Sequence, residues 1–206
     1  MRKMNITLLV ANLVCFLFSC ASSHFEMTTT HAEKAASDRP IRKILVIVVV
    51  DDHEIRSVFE NHFKKWLTSK DVEAITSTDV LPVHEGEKLE RRAIVEVVDK
   101  YGDDSVLITH LVGFGESEVF SRDLPVHRSY YGFYNYAWGY IHWPTVYGEK
   151  EKFTLETRLY DVNTESLIWA GEAKLTNPET PGKAIGQVVE AVMTELEKNR
   201  LLPHTS

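Results

Sequence analysis

Asp51, Asp52, His53 and Glu54 put three acids and a histidine side by side, directly after an apolar, β-branched run. Such side chains bind metals or move protons, and the carboxyl ends of strands in α/β sheets are common places for them to gather. A plainer role competes: acids at the start of a helix cap its free N–H groups and sit favourably in its dipole. Consecutive helical residues also point in different directions, so the four cannot share one ion well. A metal-dependent enzyme at Asp51, Asp52 and His53 is therefore an alternative reading, and the leading expectation includes no catalytic residue, metal or cofactor. His62 falls on the apolar stripe of a helix and His110 inside a strand; each reads as a core or edge histidine. The sequence contains no His-x-x-x-His or Cys-x-x-Cys pair, nucleophile elbow or phosphate loop. Gly113-Phe114-Gly115 reads as the end of a strand.

The most unusual stretch is 130–147, which holds Tyr130, Tyr131, Phe133, Tyr134, Tyr136, Trp138, Tyr140, Trp143 and Tyr147, with Gly132 and Gly139. Aromatic rings with a polar handle suit interfaces with protein, glycan or headgroups. Three placements remain open for them: an exposed binding segment, a long hairpin packed on its own domain, or a disordered Tyr/Gly-rich loop. An exposed aromatic segment is an aggregation hazard unless something occupies it, which favours a partner.

The N-terminus is built differently from the rest. Arg2 and Lys3 are followed by a predominantly apolar run over 6–18 and then by small residues, the layout of a secretory signal. That run is shorter than the roughly 20 residues a membrane-spanning helix needs. Leu17-Phe18-Ser19-Cys20 resembles the lipobox of bacterial lipoproteins. The resemblance implies cleavage before Cys20 and acylation of its thiol and new amino group, palmitate-type chains anchoring the protein to a membrane. Cys15 leaves with the signal, so Cys20 is the one cysteine of the mature chain. Losing Arg2 and Lys3, and no acid, takes the formal charge from −7 to −9. An acidic body disfavours nucleic acid and offers no electrostatic hold on anionic lipid, so the acyl chains must do the anchoring.

Residues 21–40, rich in Ser, Thr, Ala and charge, read as a flexible tether; twenty such residues span about 25 Å. The domain proper is expected over 41–202. The run 41–50 suits a strand buried on both faces. Asp51 as N-cap, with Glu54 three residues on, opens a helix carrying Ile55, Val58, Phe59, His62, Phe63, Trp66 and Leu67 at helical spacing. A short strand over 72–77, a helix over 87–101 stopped by Gly102, and a strand over 105–112 follow. After an insertion over 116–150, residues 153–160 and 167–173 alternate as a hairpin with one face on the core. Thr180 caps a last helix with Pro181 at its first position. The expected fold is α/β (α+β): a single mixed sheet with helices packed on it, in the order β-α-β-α-β-(insert)-β-β-α.

Leu159-Tyr160-Asp161-Val162, Leu167-Ile168-Trp169-Ala170-Gly171 and the terminal helix, preceded by an aromatic, Gly-rich stretch, resemble the ending of a family of uncharacterised Gram-negative outer-membrane lipoproteins. The element order is also similar to the penicillin-binding-protein activator LpoB, the curli-secretion lipoprotein CsgG and the N-terminal domain of TolB. Ala21, rather than Asp, after the cysteine implies outer-membrane sorting, with the domain on the periplasmic side. The expected function is a non-enzymatic envelope module binding a protein partner through the 116–150 insertion. A glycan- or peptidoglycan-binding role for 130–147 is the alternative, and a homo-oligomer formed by pairing of exposed strands is a further option.

Overall fold

The computed structural model describes residues 23–33, 40–81, 88–114, 129–139 and 152–203 of the 206. In chain order they form β1 (His24–Ala32), β2 (Lys43–Val49), α1 (His53–Thr68), β3 (Glu73–Thr76), α2 (Ser77–Val80), α3 (Arg91–Tyr101), β4 (Ser105–Phe114), α4 (Tyr130–Trp138), β5 (Lys152–Asp161), β6 (Leu167–Thr176) and α5 (Pro181–Lys198). The fold is α+β. One six-stranded mixed sheet runs in the order β1-β6-β5-β4-β2-β3. The β2, β3 and β4 strands pair in parallel, and the β4-β5-β6-β1 side is antiparallel.

Continuous apolarity in β2 has the expected cause. Ile44, Val46 and Val48 pack on one face against Phe59, Phe63 and Leu67 of α1, while Leu45, Ile47 and Val49 pack on the other with Ile94, Val97 and Val98 of α3. The first face also takes α5, through Ile185, Val188, Val189 and Leu196. The second face takes α4, through Phe133, Tyr134 and Ala137. Local signals set the helix ends. Thr180 accepts from the Lys183 N–H at 3.2 Å with Pro181 opening α5, and Gly102 closes α3 at φ 66°.

Four sequence expectations need correction. Residues 24–32, read as part of a flexible tether, form β1, an edge strand paired with β6 from His24↔Thr176 to Ala32↔Trp169. Phe25 and Met27 alternate inward onto the core and Thr29 donates to Glu195 of α5 at 2.6 Å, which explains why the segment is ordered. Asp52, not Asp51, is the N-cap of α1. His62 is exposed, because the buried stripe of α1 follows Phe59, Phe63 and Leu67 and passes beside it. Finally, β5 has both faces buried: Glu156, Arg158 and Tyr160, on the side expected to face water, are closed off.

Two packing details tie this frame together. Glu60 of α1 is fully buried, and its carboxylate accepts from the Val48 N–H, the Ser77 hydroxyl and both the N–H and hydroxyl of Thr78, at 2.5–3.0 Å. Burial raises its pKa, against the pull of those four donors. Gly171 leaves room for the Met27 and Trp169 side chains: a Cβ there would stand 2.5 Å from Met27 Cε and closer still to the Trp169 ring.

Candidate functional site

The second face of the sheet carries a charged ladder under α4. His110 of β4 stands directly opposite Glu156 of β5, with Nε2 3.3 Å from Oε2. Two residues along β5, the Arg158 Nε–H donates to the other Glu156 oxygen at 2.8 Å. The three side chains share a face because strand residues two apart project the same way. They are 2%, 6% and 5% exposed.

The roof over this ladder is aromatic. Phe133 of α4 places its ring centroid 4.1 Å from the Arg158 guanidinium carbon and 5.0 Å from the His110 ring, the latter edge-on at 77°. Tyr136 meets His110 edge-on at 6.0 Å. Tyr134 accepts the Leu89 N–H at 2.7 Å, fixing α4 against the chain that leads into α3. A side-chain cap starts the helix, the Ser129 hydroxyl accepting from the Gly132 N–H at 3.2 Å.

Electrostatics decide what the ladder can do. Burial pushes the Glu156 carboxyl up, but the His110 hydrogen bond and the charges of Arg158 and His110 outweigh it and hold the pKa below the ordinary carboxylate value. A carboxylate stabilised in this way is a poor base. Arg158 is correspondingly raised: burial lowers it, and the charges and hydrogen bonds of Glu156 and Tyr160 together outweigh that. Tyr160, beside Arg158, is pushed up to about 12, chiefly by burial. His110 Nδ1 has no hydrogen-bond partner among the described residues. The arrangement fixes α4 to the sheet through paired charge and ring contacts, and it presents no activated nucleophile.

The sequence-predicted residues are dispersed by the structure. Of the aromatics, Tyr130, Phe133 and Tyr134 are buried in the core and Tyr131, Tyr136 and Trp138 are half-buried. Residues 130–138 of the stretch are helical, not a strand of a hairpin. Tyr140, Trp143 and Tyr147 lie outside the described residues, as do Cys20 and the signal. Asp52 Oδ1 accepts from the Ile55 N–H at 2.9 Å and Asp51 Oδ1 from the Asp52 N–H at 3.0 Å, while His53 and Glu54 are exposed. No group of three His, Cys, Asp or Glu side chains among the described residues is placed to hold a metal ion.

Sequence reasoning passed over Glu156, Arg158 and Asp103. The alternation along β5 placed the first two on one face, but nothing in the sequence showed a helix covering that face. Asp103 follows the Gly102 cap, is 5% exposed, and has both carboxylate oxygens without a partner among the described residues. Burial lifts its pKa to about 6, against the pull of Lys43.

The remaining feature is a sheet edge. Among the described residues β1 ends the sheet and is paired on one side, with β6. Its side chains alternate between exposed and half-buried before ending exposed. No helix among the described residues is long and apolar enough to cross a membrane.

The chain matches no family model and no curated protein. It is similar in structure to the PelC dodecamer of Paraburkholderia phytofirmans in two crystal forms, each with a TM-score of 0.45 at 11–12% identity, over 89% of this chain and 100% of that one. A PDZ domain protein of Parabacteroides distasonis gives a TM-score of 0.41 at 11% identity, over 90% of this chain and 37% of that one. At these scores neither likeness informs function.

Proposed function

We propose that the chain is a lipid-anchored envelope protein, held to the periplasmic face of the outer membrane by acyl groups on Cys20, whose domain binds a protein partner and catalyses no reaction. The observation that carries the partner-binding part is the open edge of β1. A nine-residue strand at the margin of a sheet exposes a row of backbone donors and acceptors, which a strand from another chain can satisfy. The aromatic helix supports this choice of surface from the other side. Three of its six described rings are consumed by the core, which leaves less of 130–147 for a partner or a sugar than its composition suggested. Asp52 is occupied with capping α1 and Asp51 accepts from the Asp52 N–H, while the charge of the buried Glu156 is compensated by Arg158 and His110.

Site-specific photo-cross-linking in intact cells tests the reading. A photoreactive residue at Thr28, on β1, is expected to give a discrete protein adduct, and one at Thr194, exposed on α5, is not. Equal labelling at the two positions, or none at Thr28, overturns the edge as the binding surface. Intact-mass measurement of the membrane-extracted protein checks the anchor independently.

A further inference from the structure

β1 begins at His24, so Ala21, Ser22 and Ser23 alone separate the proposed lipid-bearing Cys20 from the sheet. An extended chain spans at most about 3.6 Å per residue, so His24 lies within roughly 15 Å of Cys20. A tether of twenty flexible residues would have left the domain free to tumble; three residues do not. The register then fixes which part of the domain lies nearest the anchor. His24 pairs with Thr176 of β6, Thr176 pairs with Lys152 of β5, and Phe153 pairs with Phe114, the last residue of β4. Four neighbouring strands thus present one common end beside His24. The opposite end, at the β5–β6 turn around Asn163, is about 30 Å away along the ten residues of β6.

We infer that the sheet end formed by His24, Thr176 and Lys152 faces the lipid bilayer, and that the β5–β6 turn points away from it. The inference rests on acylation at Cys20 and adds an orientation to it. Chain length, not charge, holds this end down, because the mature chain carries a net negative charge. The same end carries a small apolar pocket between Phe153, Leu175, Pro178 and Ala184, with room for about one water. With the acyl groups in the bilayer, this rim lies at headgroup level, with β1 standing up from the surface and its open edge facing sideways.

The experiment uses the full-length, membrane-processed protein in phosphatidylcholine vesicles containing a headgroup-nitroxide lipid. A fluorophore is placed by Lys152→Cys or by Asn163→Cys, both exposed positions. Several-fold stronger quenching at 152 than at 163 is expected, and insertion of about twenty Gly/Ser residues between Ser22 and Ser23 should erase the difference. Equal quenching at the two positions in the acylated protein, or stronger quenching at 163, overturns the orientation while leaving the anchor intact. A mass showing no acyl group on Cys20 overturns the anchor and the orientation together.

Discussion

His110 and Glu156 face each other across the β4–β5 ladder, with Nε2 3.3 Å from Oε2 and both side chains nearly closed to water. Arg158 completes the group on the second carboxylate oxygen, at 2.8 Å. Removing one member of a buried ionic group strands the others without compensation. Glu156→Gln is expected to cost about 3 kcal/mol in chemical denaturation at neutral pH.

The pH dependence follows from the direction of the Glu156 shift. Its folded pKa is depressed, so its contribution is present above the unfolded value and is lost as pH falls through the folded one. Stability should therefore decline in the acid range below the ordinary carboxylate pKa. That decline should be shallower in Glu156→Gln, when denaturation midpoints are compared across the acid range.

Asp103 carries the opposite sign. Its folded pKa of about 6 lies above the ordinary carboxylate value of 3.8, so ionisation opposes folding and stability drops as pH rises between the two. Asp103→Asn should flatten that segment of the profile and raise stability by about 1 kcal/mol at pH 7, since a neutral amide avoids the buried charge. An unchanged profile would show that water reaches the carboxylate.

The roof over the ladder is tested by size and by polarity. Phe133→Ala should cost about 3–5 kcal/mol, because a fully buried ring is lost together with its contact to Arg158. Tyr134→Phe keeps the ring but leaves the Leu89 N–H without its acceptor, at about 1–3 kcal/mol. Thermal melts of the two variants separate packing from hydrogen bonding.

At Gly171 the prediction concerns one edge of the sheet. Gly171→Ala should push Met27 and the buried Trp169 ring apart and destabilise by about 1–3 kcal/mol. Amide hydrogen exchange should show the increase first in β1, and Met27→Ala should relieve part of it.

Period and punctuation made much of the fold legible. The β-branched run gave β2, Gly102 gave the end of α3, and Thr180-Pro181 gave the start of α5. Two elements were obscured for different physical reasons. β1 is an edge strand, so its inward residues Phe25 and Met27 are only half-buried and the alternation is diluted by Thr28, Thr29 and Thr30. α4 was obscured by composition, since Tyr, Phe and Trp favour strands. Yet Tyr130, Phe133, Tyr134 and Ala137 recur at i, i+3, i+4 and i+7, and these four are the residues α4 buries. The ladder beneath could not be read at all, because Glu156 and Arg158 look like an ordinary solvated face until α4 covers them.

Thr29 and Glu195 meet across 166 residues of sequence, and every contact of β1 with its neighbour is similarly remote. During synthesis, the segment that forms β1 is exposed early and waits for β6 and α5 to follow. Closing so long a loop is entropically costly, so pairing of β1 with β6 is expected late in folding. In that interval the same backbone row is open on both sides, and a cognate strand arriving early would compete with β6 itself.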